Sequence, residues 1–142
     1  MKHFACAVAL LSLAVVGCGA KEYSGEKRFA LSGKVTVDGQ PMEHGLISFL
    51  PQVETGKVAG GPITNGAYSI AEPMGPTAGK YRVEVHWNKP TGRRVKDAYG
   101  EEIMDGTEEG LPDKYHKQSE LIAEVSTKQT TFDFDLKTKK TK

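Results

Sequence analysis

Lys80-Tyr81-Arg82-Val83-Glu84-Val85-His86-Trp87 alternates without a break. Tyr81, Val83, Val85 and Trp87 fall on one side, and Lys80, Arg82, Glu84 and His86 on the other. Strict period two with that contrast is the pattern of a strand with one face in a core and one in water. The pattern recurs on both sides of this stretch. Upstream, Phe29, Leu31, Gly33, Val35 and Val37 alternate with Ala30, Ser32, Lys34 and Thr36. Asp38-Gly39 then ends the run with a strong turn signal. Leu46–Leu50 is an apolar run that Pro51 stops. Residues 57–63 read as a weaker strand, placed at a sheet edge or carrying a bulge, because Pro62 has no N–H to donate. Asn65-Gly66 is a second hairpin signal, and Ala67–Ile70 follows it. Downstream, Leu121–Val125 and Thr130–Leu136 alternate again.

Those segments make seven short strands and leave no amphipathic helix of useful length. Turn residues separate them, and Gly and Pro together number 23 (16 and 7). The fold class is therefore all-β: a seven-stranded antiparallel β-sandwich of transthyretin-like or immunoglobulin-like form, without the Cys…Trp…Cys signature of antibody domains. Leu31, Val35, Val37, Ile47, Phe49, Tyr68, Ile70, Tyr81, Val83, Val85, Phe132, Phe134 and Leu136 form its expected core.

The N-terminus carries a different signal. Met1-Lys2-His3 is a short basic start, and Phe4–Val16 is apolar except for Ser12. The apolar run has 13 residues, whereas a bilayer-spanning helix needs about 20, so it reads as an export signal. It closes on Val15-Val16-Gly17-Cys18, which resembles the box of bacterial lipoproteins, where the cysteine is lipidated and becomes the first mature residue. That resemblance implies a cleaved signal over 1–17, lipid attachment at Cys18 and a place in the bacterial cell envelope. With Gly19 and Ala20 after the cysteine rather than aspartate, it favours an outer membrane where one exists. Residues 18–28 then form the lipidated N-terminus and a polar tether, 29–137 the sandwich, and 138–142 a lysine-rich tail.

The signal removes Lys2 alone among charged residues, leaving 18 Lys+Arg against 18 Asp+Glu. Such a balance lacks the concentrated basic face of a nucleic-acid partner. Cys6 leaves with the signal and Cys18 is capped, so stability must come from the apolar core rather than from disulfides.

Several motifs are similar to those of carboxypeptidase regulatory-like domains. Leu31-Ser32-Gly33-Lys34-Val35-Thr36-Val37-Asp38-Gly39-Gln40-Pro41-Met42 resembles their opening, and Gly79-Lys80-Tyr81-Arg82-Val83 their "G-x-Y-x-V" strand. Ile63–Ile70 looks like their Tyr-containing hairpin, one residue shorter than the commonest spacing. Leu111-Pro112-Asp113-Lys114-Tyr115 and Phe132-Asp133-Phe134-Asp135-Leu136 resemble small bacterial lipoproteins built on this one domain. The resemblance implies a transthyretin-like sandwich and a membrane anchor. It carries over no active-site residue.

Catalytic patterns are missing. No Gly-x-Ser-x-Gly occurs, no thiol survives maturation, and Asp133 and Asp135 stand two apart on an outer strand face. His44, His86 and His116 lack the close spacing of zinc ligands and read as isolated exposed histidines. Glu101, Glu102, Asp105, Glu108 and Glu109 crowd one stretch without a calcium-loop pattern and read as a solvated acidic loop. No catalytic residue, metal ligand or cofactor is expected, and the chain is not expected to be an enzyme.

What remains is Asn88–Ser119, 32 residues without sustained period. Loops beyond about 12–15 residues are uncommon in compact domains and often functional. The expectation is a membrane-anchored binding module that uses this loop, with Trp87, Arg93, Arg94, Tyr99 and Tyr115 as candidate recognition residues. Its partner is an envelope protein or a surface glycan. A carbohydrate-binding module is the principal alternative, and a metal-binding or hydrolytic accessory protein the lesser one.

Overall fold

A computed structural model describes residues 25–96 and 99–138. Cys18, the signal, most of the tether and the tail beyond Thr138 lie outside the described residues. The strands are β1 (Leu31–Val37), β2 (Gln40–Pro41), β3 (His44–Pro51), β4 (Ala59–Thr64), β5 (Ala67–Ile70), β6 (Gly79–His86), β7 (Asn88–Lys96), β8 (Glu102–Glu109), β9 (Leu121–Val125) and β10 (Phe134–Leu136). Short 3-10 turns cover Glu72–Met74 and Asp113–Tyr115. Among the described residues no helix is long and apolar enough to cross a membrane.

The seven strands expected from alternation are the seven of one continuous sheet, in the order β10-β1-β5-β4-β3-β6-β9, with β2 paired to β1 beside them. Its turns obey the expected chemistry. Val37 faces Gln40 across Asp38-Gly39, and Thr64 faces Ala67 across Asn65-Gly66. All four turn residues have positive φ (51°, 80°, 50° and 77°), the geometry of the tight hairpin turn that matches strand twist.

The sheet curls. Phe132, just ahead of β10, lies 6.3 Å from Phe49 on β3, ring centre to ring centre. In a flat sheet the four steps between β10 and β3 would separate them by about 19 Å. Curling brings the apolar faces together into one core, where Val35, Phe49, Tyr81, Val83, Val85 and Leu136 have no exposed surface. The fold is all-β and sandwich-like. Each buried large side chain contributes about 1.5–3 kcal/mol from removal of apolar surface from water.

Three details depart from expectation. Phe132 and Phe134 are only partly buried, because they flank the closing seam. β10 pairs with β1 in parallel, Val35 opposite Phe134, so the ladder is not antiparallel throughout. β4 is an inner strand, with β3 along its whole length. Its pairing to β5 begins only at Ile63, one residue after Pro62, so the missing donor limits one ladder instead of moving the strand to an edge. The sheet's edges are β9 and the three-residue β10, shortness being one protection of an edge.

Polar contacts close the seam. The Tyr68 hydroxyl donates to Phe132 O at 2.8 Å. Burial, reinforced by the charge of Asp133, pushes that phenol well above its ordinary value, so it stays a donor. Asp133 accepts from the Lys34 N–H at 2.7 Å and Asp135 from the Thr36 hydroxyl at 2.8 Å. These aspartates thus face β1. The folded body begins at Arg28, whose guanidinium donates to Gly75 O at 2.9 Å. At the other end the Thr138 N–H donates to Asp38 at 3.1 Å.

Candidate functional site at the root of a two-stranded arm

The stretch read as one long loop is two structures. β7 and β8 pair as a two-stranded hairpin, which among the described residues joins no other sheet. Residues 110–119 turn back over the end of the core. Alternation fails along β7, where Asn88, Lys89, Pro90, Gly92, Arg93, Arg94 and Lys96 are all exposed. Lys89 stands opposite Glu108, Arg94 opposite Asp105 and Lys96 opposite Glu102. Opposite charges across a ladder contribute about 0.2–1 kcal/mol per pair. The residues expected to form a solvated acidic loop are thus mostly one rail of this ladder. An irregularity between Pro90 and Arg94 surrounds Gly92 (φ 69°), and the Thr91 hydroxyl donates to Gly106 O at 2.7 Å there.

Glu109 ties the arm to the sheet. One carboxylate oxygen accepts the N–H groups of Trp87 (3.0 Å) and Leu111 (3.1 Å), and the other accepts from His86 Nδ1 at 2.8 Å. Partial burial alone would raise the pKa of this carboxyl. The Trp87 N–H, His86, the Leu111 N–H and nearby His116 together outweigh burial and hold it below the ordinary glutamate value. Gly110 completes the joint: its N–H donates to Trp87 O at 2.8 Å, and a Cβ there would lie 2.6 Å from the indole ring.

Beyond the joint the chain packs down. Leu111, Tyr115 and His116 are buried. The Tyr115 hydroxyl accepts the Lys137 N–H at 3.1 Å, fastening this segment to the C-terminal strand. The Ser119 hydroxyl donates to Val83 O on β6. His116, only 2 % exposed, donates from Nε2 to Leu111 O at 3.0 Å, since a carbonyl can only accept. Asp113 lies 3.6 Å from the same nitrogen. The other ring nitrogen, Nδ1, is buried without a hydrogen-bond partner. The His116 and His86 rings lie 5.2 Å apart. One ligand-capable atom each of His86, Glu109 and His116 lies within 4.8 Å of the other two.

The expected recognition residues therefore divide. Arg93, Arg94 and Tyr99 are exposed on the arm, Tyr99 by 93 % at its turn. Tyr115 is a correction: at 8 % exposure it belongs to the core and presents no surface. Trp87 is partly buried against the core, with the Lys89 ammonium 5.7 Å from its ring centre. It borders a cleft with Met42, His44 and Pro90 at the arm's root. The histidines are not all isolated, which is a second correction. His86 and His116 come together, while His44 donates separately to Asn88 O at 3.2 Å. Spacing hid this pair because the hairpin that ends at Glu109 lies between His86 and His116. The only local clue was a histidine at the outward end of the best-patterned strand.

Compared with models of known families, with curated proteins and with solved structures, the chain matches none.

Proposed function

We propose that the protein is a non-enzymatic binding module of the bacterial envelope, lipid-anchored through Cys18 and related to the carboxypeptidase regulatory-like lipoproteins it resembles. Its arm, presenting Arg93, Arg94 and Tyr99, meets another envelope protein. The observation that carries this reading is the separation of the arm from the core: the curled sheet buries its apolar face among its own strands, and β7–β8 adds exposed charge and an exposed tyrosine outside it. Segments of that kind on a rigid scaffold commonly serve recognition.

A photo-crosslinking residue at Tyr99 in the full chain, irradiated in intact cells, tests the arm. A discrete heavier band that weakens when Arg93 and Arg94 are both changed to Ala is expected. No band, with the arm still open to protease, points away from a protein partner and toward surface glycan. Replacing Cys18 by Ala tests the anchor separately, and the protein is expected to leave the membrane fraction.

A further inference from the structure

We infer that His86, Glu109 and His116 form a binding site for a divalent metal ion of the zinc class, placed where β6, the arm and the 110–119 segment meet. The site does not depend on what the arm recognises. Two imidazoles and one carboxylate are a common donor set for zinc, which binds such ligands at about 2.0–2.2 Å and usually takes four.

Three observations converge on it. First, donor atoms of the three residues already lie within 4.8 Å of one another, on three separate elements of the fold. Two ligands of one tetrahedral zinc stand about 3.4 Å apart. The His86–Glu109 pair, now 2.8 Å apart, has to open slightly and His116 has to close on both. His86 and Glu109 stand at the surface, where their side chains have room to adjust. Second, the His116 ring is set as a ligand would be. Its Nε2 proton goes to Leu111 O, with Asp113 nearby, so the lone pair sits on Nδ1. A metal-bound histidine commonly donates its other ring N–H to a carbonyl or carboxylate in this way. Third, that Nδ1 is the one buried side-chain polar atom without a partner among the described residues. An orphaned buried acceptor is destabilising, and a bound cation satisfies it.

Binding replaces a proton by a metal. The proton between His86 Nδ1 and Glu109 Oε2 moves to Nε2 of the same ring or to water, and both atoms turn their electron pairs to the ion. The three protein ligands leave one tetrahedral position for water. The bound ion ties the last residue of β6 to the last residue of β8 and to the turn after Tyr115.

The test is calorimetric titration of zinc ion into the full-length chain, with no histidine tag, in detergent. Saturable uptake of one zinc per chain is expected at zinc concentrations up to about 1 mM. His86→Ala and Glu109→Gln, each shown by circular dichroism to remain folded, are each expected to weaken binding tenfold or more. His44→Ala is expected to leave it unchanged. His116 is buried, so its replacement risks the fold and is not the deciding variant. No saturable binding, a loss smaller than tenfold in either deciding variant, or an equal loss in His44→Ala overturns the proposal.

Discussion

The curled sheet and the arm use the same backbone ladder and are held by different forces. In the sheet each of the seven main strands has a buried face, and packing of Leu31, Phe49, Tyr81 and Leu136 selects the register, because a slip of one residue would turn the apolar set to water. In the arm the described side chains of β7 are mostly exposed, and Lys89 opposite Glu108 is a charge pair in place of a packed one. Burial of one aromatic side chain outweighs an exposed cross-strand charge pair. The sheet should therefore behave as a cooperative unit and the arm as a weakly held appendage whose persistence depends on its root.

The largest expected effect comes from the sheet. Phe49→Ala, at a position with no exposed surface, should cost about 3–5 kcal/mol in urea denaturation. That is enough to leave a domain of this size marginal or unfolded. Equal loss from an arm substitution such as Arg93→Ala would erase the distinction between the two regions. Next is the root. Gly110→Ala places a Cβ against the indole of Trp87, and overpacking of this kind costs about 1–3 kcal/mol. Trp87 is the only tryptophan, so its fluorescence should shift as the joint opens, while far-ultraviolet dichroism of the sheet stays.

The root is also the acid-sensitive part. Glu109 holds its proton less tightly in the fold than in the unfolded chain, with a folded value below 4.5. Its contribution to stability is therefore complete above pH 4.5 and is lost as pH falls through the lower folded value. Between pH 5 and pH 3 the wild-type chain should lose more stability than Glu109→Gln, measured by denaturant midpoints at each pH. A variant that loses as much as wild type would place the acid response elsewhere. The smallest effect belongs to the arm's ladder. Lys89→Glu, opposite Glu108, should change global stability by about 1 kcal/mol or less. It should nevertheless speed amide exchange in β7, less so in high salt, which screens exposed charges.

The same difference in forces decides what could be read from the chain. Period-two alternation exists only where a face is buried, so Lys80–Trp87 and its six companions were legible almost to the residue, as were the Asp38-Gly39 and Asn65-Gly66 turns. The arm was not, since Lys89, Arg93, Arg94 and Lys96 repeat no period. The register that sets Lys89, Arg94 and Lys96 opposite Glu108, Asp105 and Glu102 shows only in the folded chain. Tyr115 looked like a loop aromatic because nothing in Leu111–Tyr115 says that the segment packs under the Lys137 backbone. The cluster of His86, Glu109 and His116 was the least legible feature, as it depends on the hairpin's length returning Glu109 to the end of β6.

Native-state hydrogen exchange on the full chain tests the contrast most directly. Amides of Val35, Phe49, Tyr81 and Val83 should exchange only through global unfolding. Those of Arg94 and Thr107 in the arm should exchange through local opening at far lower free energy. Arm amides as strongly protected as those of the sheet core would contradict the account, because the arm would then be part of the cooperative fold and not an appendage carried by it.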